Sequence, residues 1–297
     1  MEYKVNGETF VFKIGIEEEK AFSSFDKLAQ KTFGLSFAHW REAGYWTDKY
    51  CPYTLLKEET VVANVSVNHI NAVLDGVPKR FIQLGTVMTD PEYRGLGLSR
   101  FLMEQVLEDC VADCDMLYLY ANNSVVNFYP KFGFEKAEEY HAYALPIDGE
   151  RLAEMQSLNM EQEKDRAVLY AKYQEGNPFA SFLINDNWEL LMFYCISSMQ
   201  NCVYYIKSLD AVVVAEQEGG VLTVFDIYGS SALNLKALLK KITAPGCTEI
   251  RFGFALKETQ KAQLLPLQAE DTTLFVLKGK ENIFEKNKTM LPLLTHA

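Results

Sequence analysis

The sequence predicts an α/β fold of the α+β type, a mixed and mostly antiparallel sheet flanked by helices, with a second and smaller unit following in the same order of elements. Three observations carry that expectation. Strand patterns separated by turn residues recur between Tyr3 and Met88, a strand runs into a glycine loop and a helix at 87–100, and a weaker hairpin, helix and strand series returns after Ala211.

Tyr3 to Ile16 alternates apolar and polar residues around Asn6-Gly7, a strong turn dipeptide, and reads as a short hairpin. Glu17 to about Phe33 reads as helix, followed by an irregular aromatic stretch from Phe37 to Trp46. Tyr53–Lys57 and Val61–Val67 form a second expected hairpin about Glu58-Glu59, and Lys79 to Met88 continues as the strand that enters the glycine loop. After Ser99, Phe101, Leu102, Val106, Leu107 and Cys110 share one side of a helix. Met116 to Tyr120 reads as a buried strand, Asn122 to Tyr129 as a helix opening, and Lys131 to Phe134 as a turn into a further strand. Turn residues at 145–149 place a boundary there, giving a domain over 1–145 and another over 146–297 that begins with a charged helical linker at about 148–175. In the second domain Ala211–Ala215 and Val221–Ile227 flank Gly219-Gly220, ahead of a helix over Ala232–Ile242 and a strand over Glu249–Phe254.

The 297 residues suit two domains, and a 48% hydrophobic content is ample for their cores. No uninterrupted apolar run approaches the ~20 residues that span a bilayer, and the first thirty residues lack the order of a signal peptide, so no membrane association and a cytoplasmic location are expected. The six cysteines show neither a paired framework nor a Cys-x-x-Cys half-site, so reduced thiols and no metal are expected. The net charge of −11 argues against nucleic acid and favours a cationic substrate such as an amine.

The sharpest chemical signal lies at Val87-Met88-Thr89, followed by Arg94-Gly95-Leu96-Gly97-Leu98-Ser99-Arg100. Glycines let backbone close on a ligand, and the first N–H groups of the helix behind them have no internal partner, which makes the turn a cradle for phosphate. Arg94 and Arg100 add positive charge. At the matching turn of the second domain, Tyr228-Gly229-Ser230-Ser231 has one glycine and no arginine, the mark of a degenerate copy.

The spacing Arg94-x-x-Gly97-x-Ser99 resembles the pyrophosphate loop of the GCN5-related N-acetyltransferases (GNAT), and Asn122 followed seven residues later by Tyr129 in Phe-Tyr-x-Lys-x-Gly-Phe resembles that family's second signature. The two motifs cover roughly 80–135 in the family's order. Departures are Ser99 for Gly or Ala, and Val125 and Pro130 where Ala and Glu are usual. The fold expected is then GNAT-like, in tandem with a smaller GNAT-like domain.

The resemblance implies transfer of an acetyl group from acetyl-CoA to an amine by direct attack in a ternary complex. Backbone N–H groups from Gly95 through Ser99 would hold pyrophosphate, with Arg94 and Arg100 neutralising it. The pantetheine arm would run beside Val87–Thr89 like an added strand, Met88 N–H would polarise the thioester, and Asn122 would bond the arm. Tyr129 would protonate the departing thiolate as general acid. Tyr129 also reads as a core aromatic, and Asn122 as a helix N-cap. Glu42, Asp48, His39 and His69 are candidates for a base, but Glu42 and Asp48 read better as solvated surface charges and the histidines as structural groups, so no base is assigned. Trp40, Tyr45, Trp46 and Tyr50 read either as a cation-binding wall or as a hydrophobic lid. The acceptor would be an amine on a small molecule or peptide, and an oligomer is compatible with the chain. A non-catalytic acyl-CoA sensor is the alternative; a pure interaction module fits the two motifs least.

Overall fold

The computed structural model describes residues 1–297 except 75, 146–154, 259–261 and 269. The chain opens with the expected hairpin, β1 (Glu2–Val5) and β2 (Glu8–Ile14), closed by Asn6 and Gly7 at φ of 51° and 79°. Two positive φ angles are what a turn matching strand twist requires. Helix α1 (Glu19–Phe33) buries Phe22, Phe25 and Leu28 and ends where Gly34 takes φ 71°. A short helix α2 (Ala38–Glu42) leads to three antiparallel strands, β3 (Tyr50–Lys57), β4 (Thr60–Leu74) and β5 (Val77–Thr89). Helix α3 (Leu98–Cys110) lays Leu98, Leu102, Met103 and Val106 on the sheet and returns the chain to β6 (Met116–Ala121), which runs parallel to β5.

Between Asn122 and Tyr129 the expected helix opening does not form. Two short 3₁₀ turns, Asn123–Val125 and Tyr129–Phe132, take its place, and Gly133 closes the second at φ 86°. Pro130 has no N–H to give a longer helix, and Asn122, Asn123 and Asn127 favour turns. Strands β7 (Phe134–Lys136) and β8 (Tyr140–Ala144) follow.

The second half contains β9 (Met155–Ser157), α4 (Glu163–Tyr173), β10 (Leu183–Asn185), α5 (Trp188–Cys195) and β11 (Val203–Ile206). The expected hairpin is β12 (Ala211–Glu218) with β13 (Val221–Tyr228); then come α6 (Leu235–Ile242), β14 (Glu249–Phe252), β15 (Gln263–Pro266) and β16 (Thr273–Leu277). Strand β14 is parallel to β13, as β6 is to β5, so the hairpin, helix and parallel strand order does recur. Of the linker expected at about 148–175, residues 148–154 lie outside the described residues, 155–157 are strand and 163–173 are helix.

Two sheets result, one in the order β1-β2-β3-β4-β5-β6-β16-β7 with β10 on β4, the other β15-β8-β14-β13-β12-β11-β9. The chain exchanges strands between them. Strand β8 ends just before residue 145 yet lies in the second sheet, and β16 enters the first sheet between β6 and β7, with Phe275 opposite Leu119 and Lys136. One core joins Phe25, Trp40 and Tyr50 of the first half to Leu191, Met192 and Val214 of the second. Each such large apolar side chain contributes about 1.5–3 kcal/mol on burial, so the halves stabilise each other.

Candidate active site

The site begins where two parallel strands part. Pairing between β5 and β6 runs from Phe81↔Met116 to Leu84↔Leu119 and stops, while β5 continues to Thr89. On its other side β5 stays paired with β4, but the register shifts between Asn64 and Ser66, and Thr86 takes φ 47° in a bulge. A bulge re-aims the strand. Asn64, wholly buried, fixes it by donating its side-chain amide to Thr86 O at 2.8 Å and to Ser66 Oγ at 2.9 Å, and the Tyr50 hydroxyl bonds the Thr86 hydroxyl. Backbone of 85–89 is thereby left facing the gap.

At the end of β5 the glycine loop turns into α3. Gly95 and Gly97 sit at φ 80° and 78°, where a side chain is strained, and Gly97 caps α3 without any side-chain oxygen occupying the first N–H groups. Thr89 and Ser99 share a hydroxyl hydrogen bond of 2.5 Å, so the serine that departs from the family pattern ties the strand end to the helix start. Arg94 and Arg100 are exposed beside the loop, and Arg94 Nε reaches Thr89 O at 3.4 Å.

These parts line one cleft of about 1680 Å³, with Val87, Met88, Thr89, Arg94, Gly95, Gly97, Leu98, Ser99, Arg100, Asn122 and Tyr129 among its walls. Leu96 belongs to the loop but not to that lining; its side chain packs towards the core behind it. A volume above the ~300–1,000 Å³ of ordinary ligand pockets leaves room for two reactants. The Tyr129 ring is buried against Phe134 and Phe275, the latter on the inserted β16, and its hydroxyl has no hydrogen-bond partner among the described residues. Burial pushes the phenol up to about 12, so it keeps its proton at neutral pH. Asn122 lies at the mouth, donating to Asp271 Oδ2 at 3.0 Å, while Asp271 Oδ1 accepts from Asn123 N at 2.7 Å.

Glu42, Asp48, His39 and His69 do not line the cleft. His39 pairs at the surface with Glu161 at 3.3 Å. Trp40 and Tyr50 touch the cleft but, with Trp46 and Phe37, they form a buried edge-to-face cluster; Trp40 Nε1 donates to Glu189 O at 2.7 Å. Tyr45 packs instead against Trp188.

The second half supplies walls that sequence patterns did not reveal. Leu190, Phe193 and Tyr194 of α5 close one side, and His296 and Ala297 reach in beside Gln83, whose Nε2 donates to Ala297 O at 3.1 Å. A Cβ on Gly85 would lie 2.5 Å from that oxygen, so only glycine admits the segment. The His296 ring packs at a tilt against Tyr120 with ring centres 4.1 Å apart, Tyr194 Oη donates to its carbonyl at 2.5 Å, and burial lowers its imidazole to about 4. Glycine loop, parted strands, positive charge and a protonated phenol thus border one large cleft.

Residues 17–134 match the sequence model of the acetyltransferase (GNAT) family. Over most of its length the chain is similar in structure to a probable N-acyltransferase from Enterococcus faecalis V583, at 17% identity and TM-score 0.58 over 90% of this chain and 72% of that one. It is similar also to Eis1 from Mycobacterium abscessus (15% identity, TM-score 0.53, 89% and 73% covered) and to a GCN5-related N-acetyltransferase from Kribbella flavida (16%, 0.51, 89% and 71%). The likeness is one of fold, and it takes in both halves. No helix among the described residues is long and apolar enough to cross a membrane.

Proposed function

We propose that the protein is an N-acetyltransferase that moves the acetyl group of acetyl-CoA to an amine by direct attack. The observation that carries this reading is the single cleft lined by the glycine loop at Gly95–Ser99, the edge of β5 at 85–89 that β6 leaves open, and the hydroxyl end of the buried Tyr129. Acetyl-CoA supplies an activated thioester. Its pyrophosphate suits the free N–H groups of Gly97 through Ser99 with Arg94 and Arg100, and its amide-bearing arm suits the open edge of β5. Met88 N–H would polarise the thioester carbonyl, a contribution worth on the order of 10²–10³ in rate per donor. Asn122 would bond the arm once exchanged from Asp271.

In the transfer the amine, having lost its extra proton to solvent, bonds the carbonyl carbon through nitrogen, the carbon–sulfur bond breaks, Tyr129 gives its proton to the departing sulfur, and the second proton released by the nitrogen passes through solvent to restore the phenol. An acidic protein favours a cationic amine, on a small molecule or a peptide. A cytoplasmic setting agrees with six free cysteines. The test is free-thiol release from acetyl-CoA against polyamines, aminoglycosides, amino acids and peptide N-termini. Acceptor-dependent release is expected; background release with every acceptor, together with tight acetyl-CoA binding, would leave a sensor and overturn the enzyme reading.

A further inference from the structure

A second cavity, of about 470 Å³, opens between the end of α4, the start of α5 and the end of β13. It shares no lining residue with the acyl-transfer cleft, and its size is that of a small-ligand pocket. No lysine or arginine lines it, whereas four carboxylates do. Three of the four have a lysine beside them: Glu175 shares Lys172 with Asp210 at 2.7 and 2.6 Å, and Asp186 and Glu189 share Lys49 at 2.8 Å.

Asp226 is different. Its carboxylate accepts from Asn177 Nδ2 at 2.6 Å, Tyr228 Oη at 2.8 Å and Ile227 N at 2.8 Å, all neutral donors, and it has no cation partner among the described residues. Protein surrounds the carboxyl, yet the residue keeps accessible surface because it opens on the cavity. Burial pushes it up to about 6, and it remains ionised at neutral pH. An ionised carboxylate set deep in protein without a counter-ion is costly, and a cation arriving beside it relieves that cost. The adjoining wall is aromatic: Tyr170 and Tyr173 pack on Trp188 at 4.9 and 5.4 Å, and Tyr173 meets Tyr228 at 5.6 Å.

We propose that this cavity binds a small organic monocation of the alkylammonium class, with Asp226 as counter-ion and Tyr170, Tyr173 and Trp188 as its aromatic wall. Asp226 is the lining carboxylate with no lysine beside it among the described residues, and so the counter-ion for a cation in the cavity. Aromatic faces attract a weakly hydrated alkylammonium more than a strongly hydrated metal ion, and one carboxylate with most of its lone pairs engaged offers too few oxygens for a metal. An anion would find no lysine or arginine in the lining and four carboxylates.

Choline is a suitable probe, since its quaternary nitrogen cannot accept an acyl group. Calorimetry and tryptophan fluorescence with the full chain saturated with CoA, which occupies the first cleft, should show one choline site per chain. Dimethylbutanol, the uncharged carbon isostere, should bind about tenfold more weakly, as should choline to Asp226→Asn. Tyr170→Ala alters a side chain already 47% exposed, so the fold is retained, and should also weaken choline severalfold. Absence of choline binding to the wild type, equal binding of the isostere, or unchanged binding by both variants would overturn the proposal, whatever the outcome of the thiol-release test.

Discussion

Leu84 stands opposite Leu119 in the last parallel rung between β5 and β6, and beyond that pair the strands separate. The gap depends on the bulge at Thr86, which Asn64 holds from the neighbouring strand. Asn64→Ala should therefore destabilise the protein by about 1–3 kcal/mol, the penalty for leaving buried polar groups unpaired. Urea unfolding measures it, and a change under about 0.5 kcal/mol would mean that the bulge holds itself.

Arg94 and Arg100 lie exposed at the loop, where they act as charges rather than as packing groups. Arg94→Ala and Arg100→Ala should each raise KM for acetyl-CoA roughly tenfold, leave the melting temperature unchanged, and flatten the salt dependence of KM. Equal KM in low and high salt for the wild type would remove the arginines from phosphate binding.

Tyr129 is held protonated by burial at about 12. Tyr129→Phe keeps the ring packing and deletes the proton donor, so kcat should fall roughly 10²–10⁴-fold with little change in KM for acetyl-CoA. In the wild type no loss of rate attributable to this phenol should appear below about pH 10, two units under its titration. An unchanged kcat in the phenylalanine variant would make Tyr129 a core aromatic only.

Glu139 lies buried behind the cleft, accepting from Tyr120 Oη at 3.2 Å and Leu291 N at 2.8 Å, and desolvation pushes its carboxyl up to about 7 from 4.5. Below 4.5 folded and unfolded chains both hold the proton; as pH rises the unfolded chain releases it first, so the native state binds more protons and loses stability up to about 7. The loss is on the order of 3 kcal/mol. Glu139→Gln should be as stable as the wild type near pH 4 and more stable at pH 8, by denaturant unfolding at both. Parallel curves for the two proteins would contradict the assignment.

Much of this was legible in the sequence wherever a local rule decides the backbone. Asn6-Gly7, Gly219-Gly220 and the Gly95–Ser99 loop are positions where φ must be positive or N–H groups must stay free, and the elements beside them lie where the pattern predicts. The partner of β16 was not legible. Thr273–Leu277 reads as any short apolar strand, and nothing local says that it pairs with Ala121 and Lys136 rather than with its own sheet. The same holds for Tyr194, Asp271 and His296, which reach the cleft through long-range packing and carry no spacing signal. For the aromatic stretch from Phe37 to Trp46 composition left two readings, a cation-binding wall and a hydrophobic lid, and the structure has the second: its rings join the halves in a shared core.

Calorimetric titration of acetyl-CoA into the wild type and into Gly97→Ala tests the central claim most directly. A Cβ at φ 78° is strained by roughly 1–2 kcal/mol and disturbs the free N–H groups at the start of α3. One site per chain in the wild type, weakened about tenfold or more in the variant, is the predicted result. No binding to the wild type, or the same affinity in both proteins, would contradict it.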